Sequence, residues 1–368
     1  MQTEVNFEIL TPAFSTNNIP IVFNVDEGYA GYFSVTLQSL LESASVDYNY
    51  DLIILQKNLP QNTKALLREQ VAGCCNFSLR FFDMTSITNT WGVDNWYNYP
   101  LTAAAYYRLF IPLVCQNYEK VLYLDSDLMI YSDVALLFNT ELGHNLLAGV
   151  RDFGDKHLTD SVVRFAGKEL KRKDYLKCEL QIKNPKGYIN SGVLLFNVSE
   201  LNQQNCLPLF ISLAQKGCVQ HDQDVLNSVC NGKILYLDNT WNAQWHVLFN
   251  KEASSASQCE LRKIMEQAKI LHFIVIRPNL VPEKKLGKPW LKCARKTAFY
   301  EELILAGAQY KINQQRVDLE NRLEAITKRI AEQASLIELQ AKMIVAQGRK
   351  IEQQDKFLES LQKRIVNA

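Results

Sequence analysis

The chain has 368 residues, of which 47% are hydrophobic, and a formal net charge of +1. That length suggests two domains, or one large α/β domain with an appendage, and the apolar fraction is ample for a packed core. The near-zero charge leaves no electrostatic footprint for nucleic acid, and no apolar run reaches the ~18 residues that a membrane-spanning helix needs. The nine cysteines include no C-x-x-C pair and are expected to be free thiols, most of them buried, in a reducing compartment. The start, Met1-Gln-Thr-Glu-Val, lacks the basic and apolar regions of a signal peptide, so a cytoplasmic location is expected.

Residues 1–18 are polar and aperiodic, a tail with or without an edge strand. A buried strand is predicted over 19–25, a turn over 26–29, and a helix from Tyr32, where Phe33, Val35, Leu37, Leu40 and Leu41 fall at roughly helical spacing. Strand is predicted again over 51–55, helix over 61–71 and strand over 78–82. This β-α-β-α-β order implies a parallel sheet with helices on its faces. The turn after the first strand, carrying Asp26, is where such a fold seats a nucleotide. Neither a G-x-G-x-x-G nor a P-loop sequence is present, so a dinucleotide fold or P-loop is unsupported.

A helix over 102–109 puts Arg108 near its end, suited to a phosphate, a sugar or a surface salt bridge. The chain then reaches Lys120-Val-Leu-Tyr-Leu-Asp-Ser-Asp-Leu-Met-Ile130. Residues 121–124 form an apolar, β-prone run of the kind buried on both faces. Asp125 and Asp127 follow on one side of an extended backbone. Two carboxylates at the end of a buried strand repel each other and require a partner to stay ionised. A hard divalent cation such as Mg²⁺ or Mn²⁺, shared with phosphates, supplies that partner. The competing reading is an acidic turn in which Asp127 or Asp133 caps a neighbouring element.

A short helical turn over 134–138 and a strand over 146–150 come next. Residues 151–186 are charge-rich, with Lys168, Lys171, Arg172, Lys173 and Asp174, and lack a period. They form either an insert over a site or a solvated excursion. Asn190 and Ser191 precede an apolar strand and are suited to bind hydroxyls, while Gly192 permits close backbone approach. Asp222-Gln-Asp224 heads a predicted helix, where acids also serve as caps. An apolar strand over 270–276 is interrupted by His272, a core histidine or the nitrogen ligand of a metal site. Lys288-Pro-Trp290 lies beyond it.

From about Arg316 glycine nearly vanishes and proline disappears. Leu323, Ile330, Ile337, Ile344, Ile351, Leu358 and Ile365 recur every seven residues. Leu319, Ile326, Gln333, Gln340, Gln347, Gln354 and Leu361 fill the second heptad position. This is a coiled-coil seam, predicted over 310–368, and isoleucine-rich cores lean toward trimers or larger homo-oligomers. The alternative is one amphipathic helix packed on the preceding domain. Eleven Lys and Arg against eight Asp and Glu after residue 310 give a weak basic bias compatible with membrane-surface association.

The order of these motifs resembles glycosyltransferase family 8. The matching strings are I-V-F-N-V-D-E-G-Y-A at 21–30, Y-R-L at 107–109, K-V-L-Y-L-D-S-D at 120–127, N-S-G-V-L-L-F-N at 190–197, D-Q-D-V-L-N at 222–227, and a late histidine followed by K-P-W. The resemblance covers about residues 19 to 295. It implies an α/β, GT-A-type, mostly parallel nucleotide-sugar-binding sheet over 19–300, flanked by helices. It also implies a retaining transferase using Mn²⁺, or Mg²⁺, and a UDP-sugar. Members include bacterial lipopolysaccharide galactosyl- and glucosyltransferases, which points to glucose or galactose as the sugar and a carbohydrate or lipid-linked glycan as acceptor.

Carried over by position, Asp125, Asp127 and His272 look like metal ligands. Asn24, Asp26 and Tyr29 look like contacts to the uracil and ribose. Arg108, Asn190, Asp222 and Gln223 look like donor-sugar contacts, with Asp222 and Gln223 as catalytic candidates, and Asp125, Ser126 and Ser191 are further substrate-binding candidates. Lys288 looks like a phosphate contact. The family pattern H-x-x-G-x-x-K-P-W departs here, with Val275 at the glycine and Lys288 sixteen positions after His272. Either a loop is inserted or the two residues no longer share a site. Glu27-Gly28 also replaces the usual Asp-Asn. A catalytically degenerate domain serving as a coiled-coil scaffold is the alternative function.

Overall fold

The computed structural model describes residues 9–96, 103–154, 161–246, 255–274, 277–280 and 287–366. The chain divides into two compact units, Met1–Leu305 and Ala306–Ala368.

The first unit is built on a seven-stranded sheet. In chain order its strands are β1 (Asn18–Asn24), β2 (Asn49–Gln56), β3 (Phe77–Asp83), β4 (Lys120–Leu124), β6 (Leu147–Arg151), β9 (Ile189–Asn197) and β10 (Ile234–Tyr236). A second sheet joins β5 (Leu128–Ile130), β11 (Ala243–Gln244) and β12 (Ile270–His272), and a hairpin joins β7 (Val162–Phe165) to β8 (Lys168–Lys171). The large sheet runs β10-β6-β9-β4-β1-β2-β3. All neighbours are parallel except β9, which is antiparallel to both β4 and β6. That is the mostly parallel, helix-flanked α/β sheet expected from the sequence.

The apolar runs are continuous because both faces of the sheet are covered. In β4, Leu122 and Leu124 join one core, whereas Val121 and Tyr123 join the other. Phe23 and Val22 of β1 divide in the same way. The two-residue period of a strand thus feeds two cores from one sequence run.

Several predicted elements differ in detail. The expected turn at 26–29 is already helical: Asp26 caps the helix Glu27–Ser43, its side chain accepting from the Tyr29 N–H. Residues Ala103–Phe110 form a 3-10 helix that passes into the short α-helix Ile111–Val114, with Pro112 near its start. Asn190 and Ser191 lie inside β9 instead of before it. The strand expected over 270–276 is described as Ile270–His272, and Val275 falls outside the described residues.

The charge-rich stretch after residue 151 is anchored at its base. Arg172 is 1% exposed and pairs with Asp224, which is fully buried, at 3.1 Å. Tyr175 and Tyr188 donate to the same carboxylate at 2.8 and 2.7 Å, and the Gln220 N–H donates at 2.7 Å. Asp224 therefore serves packing and capping, which are the terms on which a buried charge is tolerated. Residues 10–13 are held in a similar way around buried Asp51. Ala13 N–H and Arg80 both donate to Asp51, and the carbonyls of Leu10 and Thr11 accept from Asn117, Arg80 and Tyr118. All nine cysteines are free thiols; five are buried, and Cys75, Cys178 and Cys259 are exposed.

The second unit is formed by the helix Tyr300–Val366, 67 residues long, which begins in the first unit. Its seam residues are open to solvent, for example Ile337 at 65% and Ile344 at 67% exposure.

Candidate active site

A cavity of about 360 Å³ opens at the carboxyl ends of β1 and β4, within the size range of small-molecule sites. Antiparallel β9 brings its first residues to the same end, because Val193 pairs with Leu124. Asn24, Asp26, Tyr29, Arg108, Asp125, Ser126 and Asp127 line this cavity, together with Asn190, Ser191, Asp222, Gln223 and His272. Lys288 is not among the lining residues; it is exposed on the helix Gly287–Ala294.

Two backbone hydrogen bonds fix the paired acids. Asp125 N–H donates to the Gly192 carbonyl at 2.8 Å, and Phe273 N–H donates to the Asp127 carbonyl at 3.0 Å. Thr36 and Ser39, on the helix Glu27–Ser43, hold the run that follows: their hydroxyls accept from Leu128 and Ile130 N–H groups at 3.0 Å. Ser126 turns inward, its hydroxyl donating to the Asn24 carbonyl at 2.7 Å.

Across β5 and β12, His272 pairs with Leu128, which brings the imidazole to the acids. His272 Nε2 lies 3.2 Å from Asp127 Oδ1 and 3.6 Å from Asp125 Oδ2. Adjacent ligands of an octahedral ion bound at ~2.1 Å sit roughly 3 Å apart. The three side chains therefore fit one divalent cation. Gly192 makes room for them: a Cβ there would lie 2.1 Å from His272 Cε1 and 2.7 Å from Asp125 Oδ2.

An amide chain behind the imidazole fixes its tautomer. Gly192 N–H donates to Asn190 Oδ1 at 3.0 Å, so that oxygen is an acceptor. Asn242 Nδ2 donates to the same oxygen at 2.8 Å. Asn242 Oδ1 must then accept from His272 Nδ1, 3.0 Å away. With its proton on Nδ1, His272 turns Nε2 toward the acids, where that nitrogen could ligate an ion.

Burial works against charge on His272, but Asp127 in hydrogen-bond contact and Asp125 beyond it outweigh that, and its pKa is raised. Burial likewise opposes ionisation of Asp127, yet His272 holds its carboxyl below the usual value. The site without a metal thus favours a proton where a cation fits.

Arg108 is buried and closes the opposite side. Its Nη1 donates to the Ser191 carbonyl at 2.6 Å and its Nη2 to Asp125 Oδ1 at 2.9 Å. Tyr123 O–H donates to the same Asp125 oxygen at 2.7 Å. Arg108 Nε lies 3.2 Å from Asp222 Oδ2, but the angle does not make a hydrogen bond, and both atoms are buried without one. Burial lifts the Asp222 carboxyl above its ordinary range despite that guanidinium. Asn24 Oδ1 is a third buried polar atom lacking a hydrogen-bond partner among the described residues. Such orphaned groups on a cavity wall are suited to a polar ligand.

Gln223 is held on both sides of its amide. Its Oε1 accepts from Asn190 Nδ2 at 3.1 Å and Ser191 N–H at 3.0 Å, and its Nε2 donates to Asp152 Oδ2 at 3.0 Å. Just before it, His221 adopts a left-handed φ of 49°, the kind of backbone strain that collects at functional sites. Sequence reasoning missed Asn242, Asp152, His221 and Arg277. The first two lie in stretches that look like ordinary loops, and the His221 strain has no sequence signature. Arg277 is the one with a visible signal, a cation five residues after His272.

Two outcomes follow from this geometry. Asn242→Ala should weaken Mn²⁺ binding by about 10–100-fold, the usual cost of losing the group that orients a histidine ligand, with the fold intact by circular dichroism; unchanged affinity would remove the tautomer argument. Protons also compete with the cation for His272. Affinity should therefore rise with pH until it passes the elevated His272 pKa, and level off above it. Calorimetry in buffers of different ionisation enthalpy should register proton release on binding, and its absence near pH ~7 would contradict the assignment.

Residues 20–294 match the family model described as glycosyl transferase family 8. A Haemophilus influenzae protein with glycosyltransferase in its name is 25% identical over 230 residues, which are 60% of this chain and 62% of that protein. General stress protein A of Bacillus subtilis is 23% identical over 263 residues, covering 69% of this chain and 84% of its own length. Among solved structures, the bifunctional glycosyltransferase WbbM superposes with a TM-score of 0.72 at 24% identity, over 80% of this chain and 52% of that one. The galactosyltransferase LgtC, solved with donor and acceptor sugar analogues, gives 0.59 at 18% identity, over 76% of this chain and 96% of its own. The fold is thus of the GT-A type, and the chain belongs to glycosyl transferase family 8.

Proposed function

We propose that the chain transfers a hexose, glucose or galactose, from a UDP-sugar to a hydroxyl of a glycan acceptor, with retention at the anomeric carbon and dependence on Mn²⁺ or Mg²⁺. The observation that carries this reading is the convergence of Asp125, Asp127 and His272 within 4.8 Å on the wall of one cavity. The neighbour LgtC, named a galactosyltransferase, supports a hexose.

The chemistry follows from where charge appears. A nucleoside diphosphate leaving group gains negative charge as its bond to the sugar breaks. A divalent ion held by the triad would supply Lewis-acid charge at that diphosphate. Asn24, at the end of β1, and Asp26 just beyond it would receive the base and ribose, with the orphaned Asn24 Oδ1 available to a donor group. Asn190, Ser191 and Asp222 face the sugar. Asp222, held uncharged more readily than an exposed acid, is suited to hydrogen-bond a sugar hydroxyl and poorly suited to attack as a carboxylate. Gln223 is immobilised by three hydrogen bonds and would position the sugar. We therefore favour same-face attack, with the departing phosphate oxygen accepting the acceptor's proton, over a covalent adduct.

The exposed seam of the Tyr300–Val366 helix supports a second part of the reading, a homo-oligomer formed by self-association. The helix is about 100 Å long at 1.5 Å per residue. Its isoleucine column cannot remain in water without cost, since each buried aliphatic side chain contributes about 1.5–3 kcal/mol.

The activity is tested by following release of UDP from UDP-glucose and UDP-galactose with and without Mn²⁺. Turnover should require the metal and fall by at least about 100-fold in Asp125→Ala and Asp127→Ala. Metal-independent turnover, or full activity in both variants, would defeat the reading. Sedimentation equilibrium should give an oligomer for the full chain and a monomer for the double variant Ile337→Lys and Ile344→Lys; a monomeric wild type would remove the oligomer.

A further inference from the structure

The site has a cation the sequence pattern did not assign. A UDP-sugar brings a diphosphate, and a divalent ion does not neutralise every phosphate oxygen at once. The cavity therefore needs a side-chain cation that is free to meet an anion. Three candidates are already committed or misplaced. Arg108 is buried, its Nη atoms donate to Ser191 and Asp125, and Asp222 stands beside its Nε. His272 faces the paired acids. Lys288 is exposed on the helix Gly287–Ala294 and does not line the cavity.

Arg277 is different. It too is exposed, but it lines the cavity, and its guanidinium carbon lies 5.1 Å from the Tyr29 ring centroid and 5.0 Å from that of Tyr32. Among the described residues no carboxylate lies within salt-bridge distance of it, unlike Arg108. Phenol rings hold a guanidinium by cation–π attraction without neutralising it, and its planar fork matches two phosphate oxygens. The backbone at this point is pinned. The Arg277 carbonyl accepts from Leu280 N–H at 3.1 Å. Asn279, two residues on, accepts from the Tyr32 hydroxyl at 3.2 Å and donates to the Leu303 carbonyl at 2.9 Å.

Spacing agrees. The family pattern sets its phosphate lysine six residues after the histidine, and Arg277 stands five after His272, against sixteen for Lys288. We propose that Arg277, seated on Tyr29 and Tyr32, is the side-chain cation that binds the donor's diphosphate, in place of Lys288. The inference rests on the UDP-sugar reading above.

The test compares UDP with uridine, which shares the base and ribose but lacks the phosphates. Calorimetric titrations with Mn²⁺ present would use the full chain and the variants Arg277→Gln, Arg277→Lys and Lys288→Gln. Arg277→Gln should weaken UDP binding by about tenfold or more, as expected for a lost charged hydrogen bond, and leave uridine binding little changed. Arg277→Lys should recover part of the loss, and Lys288→Gln should bind UDP as the wild type does. Unchanged UDP affinity in Arg277→Gln would overturn the assignment. So would an equal loss for uridine, which would reduce Arg277 to a support for Tyr29, and so would a larger loss in Lys288→Gln. A wild type that binds neither UDP nor uridine would instead defeat the nucleotide-sugar reading itself.

Discussion

Two carboxylates one residue apart at the end of a buried strand repel each other, and the first unit is arranged around holding positive charge against them. Asp125 receives Arg108 and Tyr123 on one side, and Asp127 receives His272 on the other. A pair of acids this close cannot remain ionised in a low-dielectric site without such partners. The raised pKa of His272 and the lowered one of Asp127 express the same constraint from the two ends of one contact. A divalent ion satisfies it more fully than a proton does, which is why the triad is read as a metal site and not as a structural ion pair.

The topology delivers those groups from distant parts of the chain. The link from β4 to β5 supplies the acids, β12 reaches them by pairing antiparallel with β5, and antiparallel β9 carries Asn190 to Gly192 to the same end of the sheet. Gly192 is the point of closest approach, since any side chain there would occupy the space of His272. Behind these lies a continuous amide network. Gln223 bonds to Asn190 and Ser191, Asn190 to Gly192 and Asn242, and Asn242 to His272. A shift at Gln223 would therefore reach His272 through fixed hydrogen bonds, as preorganised sites require.

Much of this was legible in the sequence because the chemistry sits in short strings. The acidic pair after an apolar run, and the polar residues that open β9, each carry their meaning locally. The apolar repeat after Arg316 likewise marks out the single long helix Tyr300–Val366. What could not be read depends on contacts between remote segments. Asn242 acts only because β11 lies beside β12 and sets its amide against an imidazole thirty residues later. Arg172 looks like one more surface charge until the fold brings Asp224 to it. Arg277 stands near the expected spacing, but its place beside the Tyr29 and Tyr32 rings is set by the fold. Lys288 carried the matching K-P-W string and yet is exposed away from the cavity.

The central claim is that Asp125, Asp127 and His272 hold a single divalent ion, and Mn²⁺ allows it to be read directly. Titration followed by electron paramagnetic resonance should show one tightly bound Mn²⁺ per chain. The pulsed spectrum should contain nitrogen coupling from one imidazole, and that coupling should vanish in His272→Ala. Bound Mn²⁺ without nitrogen coupling, or coupling that survives the loss of His272, would contradict the account.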